Sequence, residues 1–330
     1  MRAHTRRIPL ALLAPAAAAL AGCGPRAAAP GAPGAAGKAL TVGFSQIGAE
    51  SSWRTAETES IRSEAARRRV DLKFSDAQQK QENQIRAVRA FIAQSVDAII
   101  LAPVVESGWE PVLREAKRAG IPVILVDRGV RVTDESLYTT LIASDFVAEG
   151  RMAGEWLAKK LGGKGAVVEL QGTPGAAPAI DRKKGFEEAL AASPGIRITR
   201  SQSGDFTRAK GKEVMEAFLK AAQGEGTKID AVYAHNDDMA LGAIQAIEEA
   251  GLRPGHDIVL VSIDGVRPAF EAMVAGKLSC TVECNPLLGP AAFDAVEQAV
   301  AGKSAPKKTV VKDALFDQSV ASDVIASRKY

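Results

Sequence analysis

The side chains able to do chemistry gather in a few short clusters: Glu50-Ser51-Ser52-Trp53-Arg54, Asp127-Arg128, His235-Asn236-Asp237-Asp238 and Asp264-Gly265, with Arg182 and Phe206 standing apart. Carboxylates, guanidinium forks, an amide and aromatic faces are the set that suits a sugar. Each sugar hydroxyl donates and accepts at once, so planar Asp, Asn and Arg groups engage neighbouring hydroxyls in pairs. Trp53 or Phe206 would cover an apolar C–H face. Charged hydrogen bonds of this kind contribute about 1.5–3 kcal/mol each once water is excluded. Singly, each residue has a plainer role: Asp127 and Arg128 pairing only with each other, Asp238 or Asn236 capping a helix, Trp53 filling a lobe surface. As a set at matching strand ends, they point to a cleft.

Catalysis finds no such set. Of the three histidines, His4 lies in the leader, His256 follows a Pro-Gly turn, and His235 near the cleft reads as a packed residue behind it. There is no G-x-S-x-G, H-E-x-x-H or Walker lysine loop, and Gly162-Gly163-Lys164-Gly165 precedes a strand rather than opening a helix. An acidic pair in a sugar cleft suits a glycosidase, but arginine partners are expected to hold these carboxylates ionised. Cys280 and Cys284, four apart on a strand, would sit roughly 13 Å apart, too far for a disulfide. No metal or cofactor is expected.

The elements that must position the clusters follow a simple alternation. Apolar runs at Leu40–Gln46, Val70–Ser75, Ala98–Ala102, Ile121–Asp127 and Tyr138–Ser144 imply one open sheet, with Ile85, Val88, Phe91 and Ile92 marking a helical face between them. Runs at Ala166–Leu170, Ile196–Gln202, Ala231–Ala234 and Ile258–Ile263 imply a second, separated by helices around Phe146–Leu161, Ala179–Ala191, Arg208–Ala222 and Met239–Ala250. This is the α/β pattern of parallel sheets, which bind ligands beyond the carboxyl ends of their strands. A length of 330 residues suits two such halves.

Residues 1–22, with Arg2, Arg6 and Arg7 before an apolar run from Ile8 to Leu20, have the layout of a secretory signal, too short to span a bilayer. Leu20-Ala21-Gly22-Cys23 resembles a bacterial lipobox, which makes Cys23 the expected lipid attachment and first mature residue. Residues 23–38, almost wholly Gly, Ala and Pro, read as a tether. Lys plus Arg outnumber Asp plus Glu by 42 to 39, and losing the three leader arginines leaves 39 of each. A neutral body carries no general attraction for nucleic acid.

From about Thr41 to Asn285 the chain resembles the galactofuranose-binding branch of the ribose-type periplasmic binding proteins of bacterial sugar ABC importers. The resemblance rests on Val42-Gly43-Phe44-Ser45-Gln46, Ser52-Trp53-Arg54, Gln78-Gln79-Lys80-Gln81-Glu82-Asn83-Gln84-Ile85, Gly108-Trp109-Glu110-Pro111, Ile180-Asp181-Arg182-Lys183-Lys184-Gly185-Phe186, Ser201-Gln202-Ser203-Gly204-Asp205-Phe206-Thr207-Arg208, Tyr233-Ala234-His235-Asn236-Asp237-Asp238-Met239 and Ser262-Ile263-Asp264-Gly265-Val266. It implies two Rossmann-like doubly wound lobes joined by a three-strand hinge: residues 39–144 with about 285–312, and 145–284 with about 313–330. It further implies closure on one monosaccharide, galactofuranose, delivered to an ABC permease with its cytoplasmic ATPase. By position Trp53, Arg54, Asp127, Arg128, Arg182, Phe206, Asn236 and Asp264 match the family's ligand contacts, and Glu50, Ser52, Asp205 and Glu283 join them. The stretch Cys280–Leu288 and the tail after Ala301 match less well, and the lipobox and tether replace a plain signal. A sugar sensor or chemotaxis receptor shares the same pattern. A ligand-responsive transcription regulator would need a helix-turn-helix before the first strand, where this chain has a leader and tether.

Overall fold

The runs Ala98–Leu101 and Val123–Val126 are buried at every position, as strands covered by helices on both faces must be. The structure, a computed structural model, describes residues 39–330; the leader, Cys23 and the tether lie outside the described residues. In chain order the elements are β1 (Thr41–Gln46), α1 (Ser52–Arg67), β2 (Asp71–Asp76), α2 (Gln81–Ala93), β3 (Ala98–Leu101), α3 (Glu110–Arg118), β4 (Val123–Val126) and β5 (Thr140–Ala143). There follow α4 (Phe146–Lys160), β6 (Lys164–Gln171), α5 (Ala177–Leu190), β7 (Gly195–Ser203), α6 (Arg208–Glu225), β8 (Ala231–Ala234), α7 (Asp237–Glu249), β9 (Val259–Asp264), α8 (Arg267–Val274) and β10 (Cys280–Glu283). The chain continues through α9 (Gly289–Val300), β11 (Lys308–Val310), β12 (Leu315–Asp317) and α10 (Ala321–Val324).

Two six-stranded sheets result, in the orders β11-β5-β4-β3-β1-β2 and β12-β10-β9-β8-β6-β7. All pairings are parallel except β10 with β12. This is a two-lobed α/β architecture with one open, largely parallel sheet in each lobe. The chain passes between the sheets after β5, β10 and β11. Edge strand β2 alternates exposed and half-buried residues and carries Lys73 and Asp71, which discourage pairing with another chain.

Helix starts explain where the site residues fall. Ser51 Oγ accepts from the Arg54 amide and opens α1, so Trp53 and Arg54 occupy its first turn. Asn236 Oδ1 accepts from the Met239 amide and starts α7 at Asp237, two residues before the apolar pattern alone predicts. In the second lobe α4 and α5 touch backbone to backbone: a Cβ on Gly150 would lie 2.1 Å from the Arg182 carbonyl oxygen, and one on Gly185 would lie 2.0 Å from that of Val147. That approach brings Glu149 of α4 to Arg182 of α5.

Candidate functional site

One cavity between the lobes is lined by Glu50, Ser51, Trp53, Arg54, Asp127, Arg128, Pro178, Arg182, Phe206, Asn236, Asp264 and Cys284. The carboxyl ends of both sheets supply them. Trp53 and Arg54 follow β1, Asp127 and Arg128 follow β4, Phe206 follows β7, Asn236 follows β8 and Asp264 ends β9. The lobes meet around the cavity. Trp53 Nε1 donates to the Cys284 carbonyl at 2.5 Å, the Ser52 amide to Asp238 Oδ2 at 2.7 Å, and the Glu106 amide to the Gly175 carbonyl at 3.0 Å.

Each lobe anchors one arginine on buried carboxylates. Arg54 reaches Glu50 at 3.1 Å, Glu57 at 2.5 Å and Asp127 at 2.6 Å. Burial opposes its charge, but Asp127, Glu57 and Glu50 together hold its pKa well above the usual value. Arg182 donates to Glu149 at 2.7 Å and to the His235 carbonyl at 2.6 Å, with Asp264 at 3.6 Å from its Nη2. Arg128 is less well neutralised: burial, reinforced by the nearby Arg54 charge, lowers its pKa to about 10.

The carboxylates depart from expectation. Arginine partners do not hold all of them in the ordinary range, because burial outweighs the pairing: Glu57 and Glu149 are pushed up to about 7 and Asp264 well above its usual value. Asp264 meets Arg182 only at 3.6 Å. Glu50 Oε2 and Arg128 Nε are buried without hydrogen-bond partners. A buried polar atom left unpaired costs about 1–3 kcal/mol, so a ligand bearing both donors and acceptors recovers that cost. Around the cavity three arginines face five carboxyl groups, Glu50, Asp127 and Asp264 in the lining with Glu57 and Glu149 behind them, and the free volume at its centre is about 20 Å³. The excess of acidic groups over arginines disfavours an anion as ligand. The free volume is far below the roughly 300–1,000 Å³ of ligand pockets, so the lobes must part to admit a sugar ring.

Nine of the residues singled out from sequence line this cavity: Glu50, Trp53, Arg54, Asp127, Arg128, Arg182, Phe206, Asn236 and Asp264. Three lie outside the lining. Ser52 binds Asp238 across the lobes, and Asp205 accepts from Ser203 Oγ at 3.0 Å. Glu283, expected as a contact, is held by Arg328 and by the Tyr330 hydroxyl, both at 2.8 Å, because the C-terminal tail folds onto the end of β10. Asn236 does cap a helix, yet its Nδ2 donates to the Phe206 carbonyl at 3.1 Å and keeps a second N–H. Asp127 and Arg128 are 3.4 Å apart, a weaker pair than Asp127 makes with Arg54. The supporting Glu57 and Glu149 went unnoticed; Glu57 was legible as the residue one helical turn beyond Arg54. Cys280 and Cys284 are both free thiols.

Behind the cavity His235 is fully buried as a neutral ring. The Gly172 amide donates to its Nδ1 at 3.3 Å, so Nε2 carries the proton toward Glu169 at 3.0 Å, and burial pushes its pKa down. Gly172 in turn seats Phe206, since a Cβ there would fall 1.9 Å from the ring's Cζ. Gly172→Ala is therefore expected to drive the ring into the cavity, weakening ligand binding by tenfold or more at a cost of about 1–3 kcal/mol in stability. Calorimetry and thermal melting on the same variant check it; unchanged affinity would show that the ring has room elsewhere.

Residues 42–304 match the family model described as a periplasmic binding protein domain. The galactofuranose-binding protein YtfQ of Escherichia coli K12 is 56% identical over 292 residues, covering 88% of this chain and 92% of that one. Among solved structures, the binding component of the arabinose ABC transporter of Shewanella sp. ANA-3, bound to α- and β-L-arabinofuranose, aligns with TM-score 0.85 at 56% identity, covering 88% of this chain and 96% of that one. A Mycobacterium smegmatis protein in complex with β-D-fucofuranose aligns with TM-score 0.86 at 51% identity, over 88% and 96% of the two chains.

Proposed function

This chain belongs to the periplasmic binding protein family, and we propose that its interlobe cavity binds galactofuranose. It is an exported sugar-binding protein of an ABC importer and not an enzyme. The observation that carries the ligand proposal is the polar interlobe cavity with an unpartnered acceptor, Glu50 Oε2, and an unpartnered donor, Arg128 Nε, at its wall. The relatives narrow the sugar. Galactofuranose, arabinofuranose and fucofuranose share a five-membered ring and differ in the arm outside it, so a lining that grips the ring accepts all three. Asp127, Arg128, Arg182, Asn236 and Asp264 hydrogen-bond the hydroxyls in this proposal, and Trp53 and Phe206 cover the apolar faces.

The loaded receptor passes its sugar to a permease driven by a cytoplasmic ATPase. Cys23 carries the lipid that keeps it at the membrane; the support for this is the Leu20-Ala21-Gly22-Cys23 sequence. A thermal-shift screen tests the ligand assignment: galactose and arabinose raise the melting temperature, and galacturonate, whose carboxylate adds to the acidic excess around the cavity, does not. Equal stabilisation by galacturonate would contradict it.

A further inference from the structure

Asp264 reaches the cavity from a backbone that few L-residues adopt, with φ 135° there and 72° at Gly265. Such a conformation is costly and persists only where its surroundings hold it. Three side chains hold this turn. Thr281 Oγ1 accepts the Gly265 amide at 3.2 Å and Asp237 Oδ2 the Val266 amide at 2.9 Å. The Gly265 carbonyl accepts two hydrogen bonds from one guanidinium, that of Arg328, at 3.1 Å from Nε and 2.7 Å from Nη2.

Arg328 lies 63 residues along the chain from Gly265, in the tail that follows the last crossing between lobes. Its guanidinium is itself fixed. It stands 4.8, 5.4 and 4.7 Å from the ring centres of Phe270, Phe316 and Tyr330, and its side chain is 8% exposed. Nη1 pairs with Glu283, the β10 residue opposite Asp264 in register. The fork thus joins the ends of β9 and β10 at the point where Asp264 leaves the sheet.

We propose that Arg328, which does not line the cavity, is the positioning residue that aims the Asp264 carboxylate at the ligand. The proposal rests on the cavity holding a sugar. Without the fork the Gly265 peptide is free to turn, φ at Asp264 relaxes toward extended values, and the carboxylate loses its aim.

A double-mutant cycle with galactose in the calorimeter tests it, using wild type, Arg328→Gln, Asp264→Ala and the double variant. Arg328→Gln is expected to weaken binding about tenfold in wild type but less than about twofold in the Asp264→Ala background, because it acts through that carboxylate. Arg328→Lys, which offers one donor in place of the fork, falls between, and it carries the test if Arg328→Gln fails to fold. Tyr330→Phe removes the hydroxyl that accepts from Arg328 Nη2 at 2.6 Å but leaves both bonds to the Gly265 carbonyl, so it weakens binding less than Arg328→Gln does. Additive losses, or an Arg328→Lys affinity equal to wild type, would overturn the positioning role. A wild-type protein that binds no sugar contradicts the ligand assignment itself, and the proposal with it.

Discussion

Replacing Arg54 by methionine is expected to destabilise the protein by about 3–5 kcal/mol at pH 8, the cost of leaving buried charge uncompensated. Glu50, Glu57 and Asp127 all turn to this one guanidinium, at 3.1, 2.5 and 2.6 Å. The loss depends on pH in a defined direction. Glu57 is already pushed up to about 7 by burial against the pull of the Arg54 charge, and without Arg54 it favours the proton more strongly still in the folded state. A carboxyl whose folded pKa is raised contributes stability that is present at low pH and lost as pH rises through that pKa. The difference between Arg54→Met and wild type should therefore shrink from pH 8 to pH 5. Urea unfolding at both values measures it, and an equal loss at the two would mean that packing alone was removed.

Asp264→Ala is expected to do the opposite. Its carboxylate is buried, 3.6 Å from Arg182, and burial pushes its pKa well up, so the apoprotein gains little from it. Arg182 keeps Glu149 and the His235 carbonyl. Apo stability should stay within about 1 kcal/mol of wild type while sugar affinity falls ten- to hundredfold, the cost of leaving the sugar hydroxyls it binds buried and unpaired. Asp127→Ala is the comparison: it strips a partner from Arg54 as well as a ligand contact, and should lower both quantities. Melting curves and calorimetry on the two proteins separate the roles. Asp264→Ala with full affinity would remove it from the binding site.

The contrast between these two aspartates was only half legible in the sequence. Both stand at strand ends, where parallel sheets present ligands, and that rule together with the quoted motifs located Trp53, Arg54, Arg128 and Asn236 as well. It could not say which carboxylate was already occupied, because Arg54 reaches Asp127 from a different strand–helix unit. The Glu149–Arg182 pair was invisible for the same kind of reason: it depends on α4 and α5 touching at Gly150 and Gly185. Glu283 satisfied the strand-end rule, lying opposite Asp264, yet the tail claims it. None of the quoted motifs reaches that tail, so its hold on the end of β10 had no motif to announce it. Ionisation was misjudged because pairing can be guessed from neighbouring residue types, whereas the depth of burial at Glu57, Glu149 and Asp264 emerges only from the packing of the folded chain.

The most direct measurement is the ring form of the sugar the protein retains. Wild-type protein is equilibrated with carbon-labelled galactose, freed of unbound sugar, and the anomeric carbon resonance of what remains is read by NMR. A furanose resonance at one sugar per protein, absent from Asp264→Ala, is the expected result. Retained galactopyranose, or a furanose signal undiminished in Asp264→Ala, would contradict the assignment of this cavity.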